Sequence, residues 1–157
     1  MPHTLKSIRG FVADGGDVNE IDENGNTIIS EIVGLRNKKT SIEFLLKKGA
    51  NVNHRCGQSV VTLVRDIDIL RLFLGYGADL HTVDTKGRTC FHYDAMRGSM
   101  IHEFVVLYLA VGVDINARDH YGKTALHMSR SWSVSVSLIK YGADGNALDH
   151  MERTALH

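Results

Sequence analysis

Proline is almost missing from this chain: Pro2 is the only one in 157 residues. With no low-complexity stretch either, the chain must turn by other means. Cysteine is also scarce. Cys56 and Cys90 lie 34 positions apart and neither belongs to a C-x-x-C pair, which removes support for a zinc or redox motif. Two unpaired thiols in a reducing compartment are expected. No sign of charge is in excess: Lys and Arg number 18, Asp and Glu number 18. Split at residue 78 the tally is 10 basic to 9 acidic, then 8 to 9, so neither half is a charged tail. That balance excludes a dedicated non-specific binder of nucleic acid or membrane surface. Long hydrophobic runs are missing too. The most apolar stretch, 104–113, is far short of the roughly 20 residues a membrane helix needs. The start, Met1-Pro2-His3-Thr4-Leu5-Lys6, lacks the apolar run of a secretory signal. The expected location is cytosol or nucleus.

What is abundant is glycine, at 15 residues. Its placement is periodic. Gly followed by a small or apolar residue and then Asp or Asn occurs at Gly15-Gly16-Asp17, Gly49-Ala50-Asn51, Gly77-Ala78-Asp79, Gly112-Val113-Asp114 and Gly142-Ala143-Asp144, with spacings of 34, 28, 35 and 30 residues. A second marker keeps step: Gly25-x-Thr27, Gly57-x-Ser59, Gly87-x-Thr89, Gly122-x-Thr124, and Glu152-x-Thr154 with the glycine missing. Two markers in one phase identify tandem units.

Each marker has a physical meaning. Thr or Ser before an apolar run is a helix N-cap, because its hydroxyl accepts an orphan backbone N–H. Gly after an apolar run ends a helix, because it enters the left-handed backbone region cheaply. Each unit therefore reads as cap, short helix, turn, second helix, glycine stop and extended hairpin. Apolar residues seven, four and three positions before the glycine form one helical stripe: Ile8, Phe11 and Val12; Ile42, Leu45 and Leu46; Leu70, Phe73 and Leu74; Val105, Tyr108 and Leu109. The last stripe, Ser135, Leu138 and Ile139, is weaker.

Thr124-Ala125-Leu126-His127 and Thr154-Ala155-Leu156-His157 resemble the Thr-Pro-Leu-His signature of ankyrin repeats. Asp119-x-x-Gly122-x-Thr124 and Gly142-Ala143-Asp144 are similar to that family's hairpin and helix-end motifs. The resemblance covers nearly the whole chain. It implies an all-α solenoid of helix-turn-helix units joined by β-hairpin loops. One array would span 1–157: a partial unit 1–21, units at about 22–53, 54–83, 84–118 and 119–148, and an incomplete unit 149–157. The family proline is replaced by Ile28, Val60, Cys90, Ala125 and Ala155, and the signature histidine by Ser30 and Thr62 in the first two full units. From Thr or Ser to the helix-end glycine the units run 22, 18, 23 and 18 residues, so the short ones are expected to have lost residues from the turn between helices.

One stretch disputes the phase. Ser131-Trp132-Ser133-Val134-Ser135-Val136-Ser137-Leu138 alternates like a half-buried strand. The repeat phase makes it a second helix, and packing by neighbours overrides its weak propensity. It should be the least stable helix. The array starts inside a unit and stops four residues into a first helix, without the polar terminal cap that a solenoid needs. This suggests a fragment, a truncated product, or an end covered by a partner.

Nine histidines invite a catalytic reading that the spacing does not support. His92, His127 and His157 occupy the signature position, which the resemblance makes structural. His54, His81, His120 and His150 fall on hairpins about one repeat apart, giving a row too widely spaced to share a metal ion. No nucleophile triad and no phosphate-binding loop occurs. Asp66 and Asp68, two apart, suit a solvated turn or helix start. The chain is expected to be no enzyme and to hold no metal or cofactor. Asn19, Asn53, Asn116 and Asn146 sit at the family's hairpin asparagine, which ties the loop to backbone.

The resemblance implies a non-enzymatic protein-protein interaction module whose hairpin tips and first helices line a concave face. The hairpins offer Glu23, Asn24 and Asn26; Arg55, Cys56 and Gln58; Thr85, Lys86 and Arg88; His120, Tyr121 and Lys123; and His150, Met151 and Arg153. The ends of the first helices add Met96 and Arg97, and Ser131 and Trp132. The face starts acidic to neutral and becomes basic and aromatic. Lys86, Arg88, Arg97, His120, Tyr121, Lys123 and Trp132 form the expected partner-binding set, with Arg88, Arg97, Tyr121 and Trp132 at its centre. An acidic or extended segment of another protein would fit; nucleic acid would not, given the interleaved Asp84, Asp94 and Asp119. The alternative reading is a regulatory or targeting segment of a longer multidomain enzyme or adaptor.

Overall fold

The computed structural model describes residues 4–98 and 102–155, apart from the side chain of Cys56. His157, the last signature histidine, and Leu156 lie outside the described residues. The chain divides into two compact units, Met1–Asp79 and Leu80–His157.

The first unit contains α1 (Leu5–Ala13), α2 (Ile28–Ile32), α3 (Lys39–Lys47), a two-stranded hairpin β1 (Arg55–Cys56) and β2 (Gln58–Ser59), a single 3-10 turn Val60–Leu63, and α4 (Ile67–Gly75). α1 starts where Thr4 accepts the Ser7 N–H at 3.1 Å. α2 starts with a reciprocal cap: the Thr27 N–H donates to Ser30 Oγ at 2.9 Å, and that hydroxyl donates to the Thr27 carbonyl at 2.8 Å. Asp66 caps α4 by accepting the Asp68 N–H at 2.8 Å, so the paired aspartates mark a helix start. α4 ends on Gly77, whose φ of 81° is costly for a residue with a Cβ. α1 packs on α3, and α2 on α3 and the 3-10 turn. Ile8, Ile42, Leu45, Leu70 and Phe73 are wholly buried, as their stripe spacing requires.

The second unit contains α5 (Cys90–Arg97), α6 (His102–Ala110), α7 (Ala125–Met128) and α8 (Trp132–Lys140). α5 packs on α7, and α7 on α8. Phe91 meets Tyr108 edge to face at 5.1 Å, and Phe104 meets Tyr108 in the same way at 5.9 Å. Beneath them Asp94 is buried, accepting the Tyr108 hydroxyl at 2.8 Å and Arg97 Nη1 at 3.1 Å.

Three expectations need correction. The short units lose residues from the turn and also from the first helix: the turn falls from residues 33–38 in the first full unit to 64–66 and 129–131, and where α5 has eight residues α7 has four and the unit beginning at His54 only the 3-10 turn. Ser59 gives no side-chain cap there, and the first helix is only a tight 3-10 turn, with the Thr62 hydroxyl donating to the Ser59 carbonyl at 2.7 Å. Trp132 does not end a first helix, because the shortened α7 stops at Met128 and Trp132 opens α8. The alternating Ser-Val stretch, by contrast, is the helix that the repeat phase requires, with Val134 and Leu138 buried and Ile139 left 54 % exposed.

Candidate functional site

The hairpins of the second unit are built by aspartates. Asp84 Oδ1 accepts the N–H groups of Lys86 (2.8 Å) and Arg88 (2.9 Å). Asp119 does the same for Tyr121 (2.9 Å) and Lys123 (2.9 Å), and Asp149 for Met151 (2.8 Å) and Arg153 (3.1 Å). A carboxylate two and four residues upstream of its donors is what turns each loop. Successive hairpins then join through backbone: His120 N–H donates to the Lys86 carbonyl at 2.9 Å, and His150 N–H to the Tyr121 carbonyl at 3.0 Å. The His120 and His150 rings lie on Gly87 and Gly122. At Gly122, with φ of 74°, a Cβ would come within 2.9 Å of the His150 backbone nitrogen.

The signature histidines lock this row from behind. His92 Nδ1 accepts the Thr89 N–H at 3.1 Å, so Nε2 carries the proton and donates to the Lys123 carbonyl at 2.9 Å. His127 repeats the arrangement between Thr124 and the Arg153 carbonyl. Burial, the largest influence on it, holds His92 below the usual histidine pKa, and so neutral.

The four hairpin histidines do not form a single register. His54 stands where the other hairpins have Asp, and its Nε2 reaches the Gly25 carbonyl at 2.7 Å. Without that carboxylate the hairpin runs as a short antiparallel ladder, Arg55 opposite Ser59. His81 stands where the ladder has Asn, with Nε2 on the Val111 carbonyl at 3.0 Å. Counting histidines hid these two registers. Asn116 shows what that position does elsewhere: Nδ2 donates to the Gly142 carbonyl at 3.0 Å and Oδ1 accepts the Asp144 N–H at 2.8 Å. Among the described residues no cluster of three or more metal-ligating side chains occurs.

The expected partner-binding residues fall into two groups. Arg88 and Arg97 are engaged. Arg88 pairs with Asp84 at 2.6 Å, and its Nη2 donates to Tyr93 Oη at 3.2 Å while that hydroxyl donates to Asp84 at 2.8 Å. Burial opposes the Asp84 charge, but Arg88 and the N–H donors prevail and hold the carboxyl well below its ordinary range. Arg97 pairs with Asp94, and both guanidinium groups stand near the Tyr93 ring, at 5.0 and 6.0 Å. Tyr93 was invisible to the repeat markers; its signal was a tyrosine four residues after the Thr89 cap. Lys86, His120, Tyr121 and Trp132 are exposed, Trp132 at 79 % and Tyr121 at 58 %. Lys123 is half-buried. Tyr121 and Lys123 share a cavity of about 270 Å³ with Met151, Arg153, His150 and Asp149. Trp132 is not among its lining residues.

No helix among the described residues is long and apolar enough to cross a membrane. Residues 58–149 match the family model for ankyrin repeats in three copies. A protein of Rickettsia bellii (strain RML369-C), named as an ankyrin repeat protein, is similar: 28 % identical over 126 residues, covering 74 % of this chain and 67 % of that one. The match takes in more than half of the residues, the capped helices and aspartate-turned hairpins recur in its phase, and the chain belongs to the ankyrin repeat family, whose all-α repeats serve in general as protein-protein interaction modules.

Proposed function

We propose that the unit Leu80–His157 binds an extended, acidic segment of a partner protein along its hairpin tips. The observation that carries this reading is Tyr121, 58 % exposed at a cavity it shares with Lys123 and Met151. A tyrosine beside an apolar, flexible methionine is a ready seat for one partner side chain. The hairpin aspartates are buried and turned inward, so at the tips Lys86 and Lys123 outnumber the one exposed carboxylate, Glu152. That favours a partner of opposite sign. Arg88 and Arg97 enter as framework, since each is already paired and their truncation would disturb Asp84 or Asp94. Trp132 is a second contact on α8.

The test is affinity capture with the full chain and three variants: Tyr121→Ala with Lys86→Glu, Lys123→Glu, and Trp132→Ala. Circular dichroism melting checks that each is folded. The expected result is loss of the same captured protein from the first two variants. Unchanged recovery by both removes the hairpin tips as the binding surface.

A further inference from the structure

The first unit carries a charged groove at the end of α2 away from its hairpin. Two inter-helix turns meet there. The turn after α2 approaches the turn before α4 so closely that a Cβ on Gly34 would touch the Leu63 carbonyl at 3.6 Å. Beside this contact is a cavity of about 580 Å³. Arg36, Lys38, Lys39 and Arg65 line it, with Val33, Leu35 and Ile69 as its apolar part. Two carboxylates oppose the four cations. Asp66 is turned to the α4 N-terminus, and Asp68 pairs with Lys39 at 3.3 Å with both side chains about half exposed, a weak attachment in water. The sequence shows the same bias: residues 36–65 hold seven Lys or Arg and one acid, Glu43. The neutral total conceals it.

We propose that this groove binds an acidic peptide segment of a partner protein, with carboxylates on Arg36 and Arg65 and an apolar side chain against Leu35. Charge complementarity selects the sign of the partner. The volume is that of a site for several side chains rather than one ion. Leu35, 46 % exposed, supplies the apolar contact that a simple counter-ion would not use. No aromatic residue lines the cavity, so it has no platform for stacking bases. The groove lies in the unit that the hairpin-tip reading does not use, and the two stand or fall separately.

Fluorescence anisotropy tests this with the full chain and two labelled peptides of about twelve residues, one of Glu with two Leu, the other with every Glu replaced by Gln. The expected result is binding of the Glu peptide alone, weakened about five-fold or more between roughly 50 and 250 mM salt. Arg36→Glu with Arg65→Glu should weaken it at least about ten-fold, while the same charge reversal at Lys6, exposed on α1 and outside the groove, leaves it within about two-fold. Equal binding of the Gln peptide overturns the proposal, as does an unchanged affinity in the folded double variant. Tighter binding of an oligothymidine of about the same length would assign the groove to nucleic acid instead. Should the double charge reversal not fold, Arg65→Gln and Leu35→Ser, both at exposed positions, provide the same comparison: each should weaken binding, and no effect of either overturns the proposal.

Discussion

The Tyr108 hydroxyl donates to the buried carboxylate of Asp94 at 2.8 Å, beneath the Phe91 and Phe104 rings. Burial raises the Asp94 pKa to about 6, although Tyr108 and Arg97 both pull it down. An unfolded Asp titrates near 3.8. The folded state therefore holds its proton more tightly, so this group adds stability below about pH 4, and the addition is lost as pH rises through about 6. The difference is on the order of 2–3 kcal/mol. Relative to Asp94→Asn, the wild type should gain stability in urea unfolding as pH falls from about 7.5 to 4.5. Parallel pH curves for the two proteins would contradict the linkage.

Lys123 stands one repeat on from Arg88, and Met128 one repeat on from Tyr93. Asp84 has both partners; Asp119 Oδ2 is buried without a hydrogen-bond partner. Lys123→Arg should supply the missing donor in the geometry that Arg88 and Arg153 already adopt. The expected gain is about 1 kcal/mol in equilibrium unfolding. Arg88→Lys should cost a similar amount. A destabilised Lys123→Arg protein would mean that the Asp119 oxygen is not reachable from position 123.

The repeat phase was legible because its two markers are backbone requirements: a cap hydroxyl such as Thr27 and a left-handed glycine such as Gly77. The length of each first helix was not, because Ser59 looks like Thr27 in sequence and differs in giving no side-chain cap. At the surface, composition marked Arg88 and Trp132 alike. Nothing local in sequence says that Arg88 folds back on Asp84 four residues away in a hairpin, since that spacing reads as an ion pair only on a helix. The groove at Arg36 and Arg65 joins residues 29 apart, a proximity set by how two inter-helix turns stack.

His92 joins two hairpins only in its neutral form, with Nδ1 accepting from Thr89 and Nε2 donating to Lys123. Its folded pKa lies below the unperturbed 6.5, so its contribution to stability is present above pH 6.5 and is lost as pH falls through the folded value. Long-range nitrogen-proton NMR should show the Nε2–H tautomer and a midpoint below 6.5. A midpoint at or above 6.5 would place a charged ring in this core and refute the assignment.

Glu152 occupies the marker position where other hairpins have glycine, and it does so with φ of 59°. A side chain in that region costs about 1–2 kcal/mol, while glycine costs about 0.5–1 kcal/mol in chain entropy. Glu152→Gly should therefore stabilise the protein by up to about 1 kcal/mol, with the Glu152 N–H still donating to the Asp149 carbonyl at 3.0 Å. The opposite change at the preceding hairpin should cost more than this gain. Gly122→Ala meets the same backbone penalty and also drives its Cβ to 2.9 Å from the His150 nitrogen, which is fixed by its bond to Tyr121. Urea midpoints of the two variants decide the point. Equal and opposite shifts would show that backbone conformation alone sets the cost, and that the close stacking of His150 on Gly122 contributes nothing.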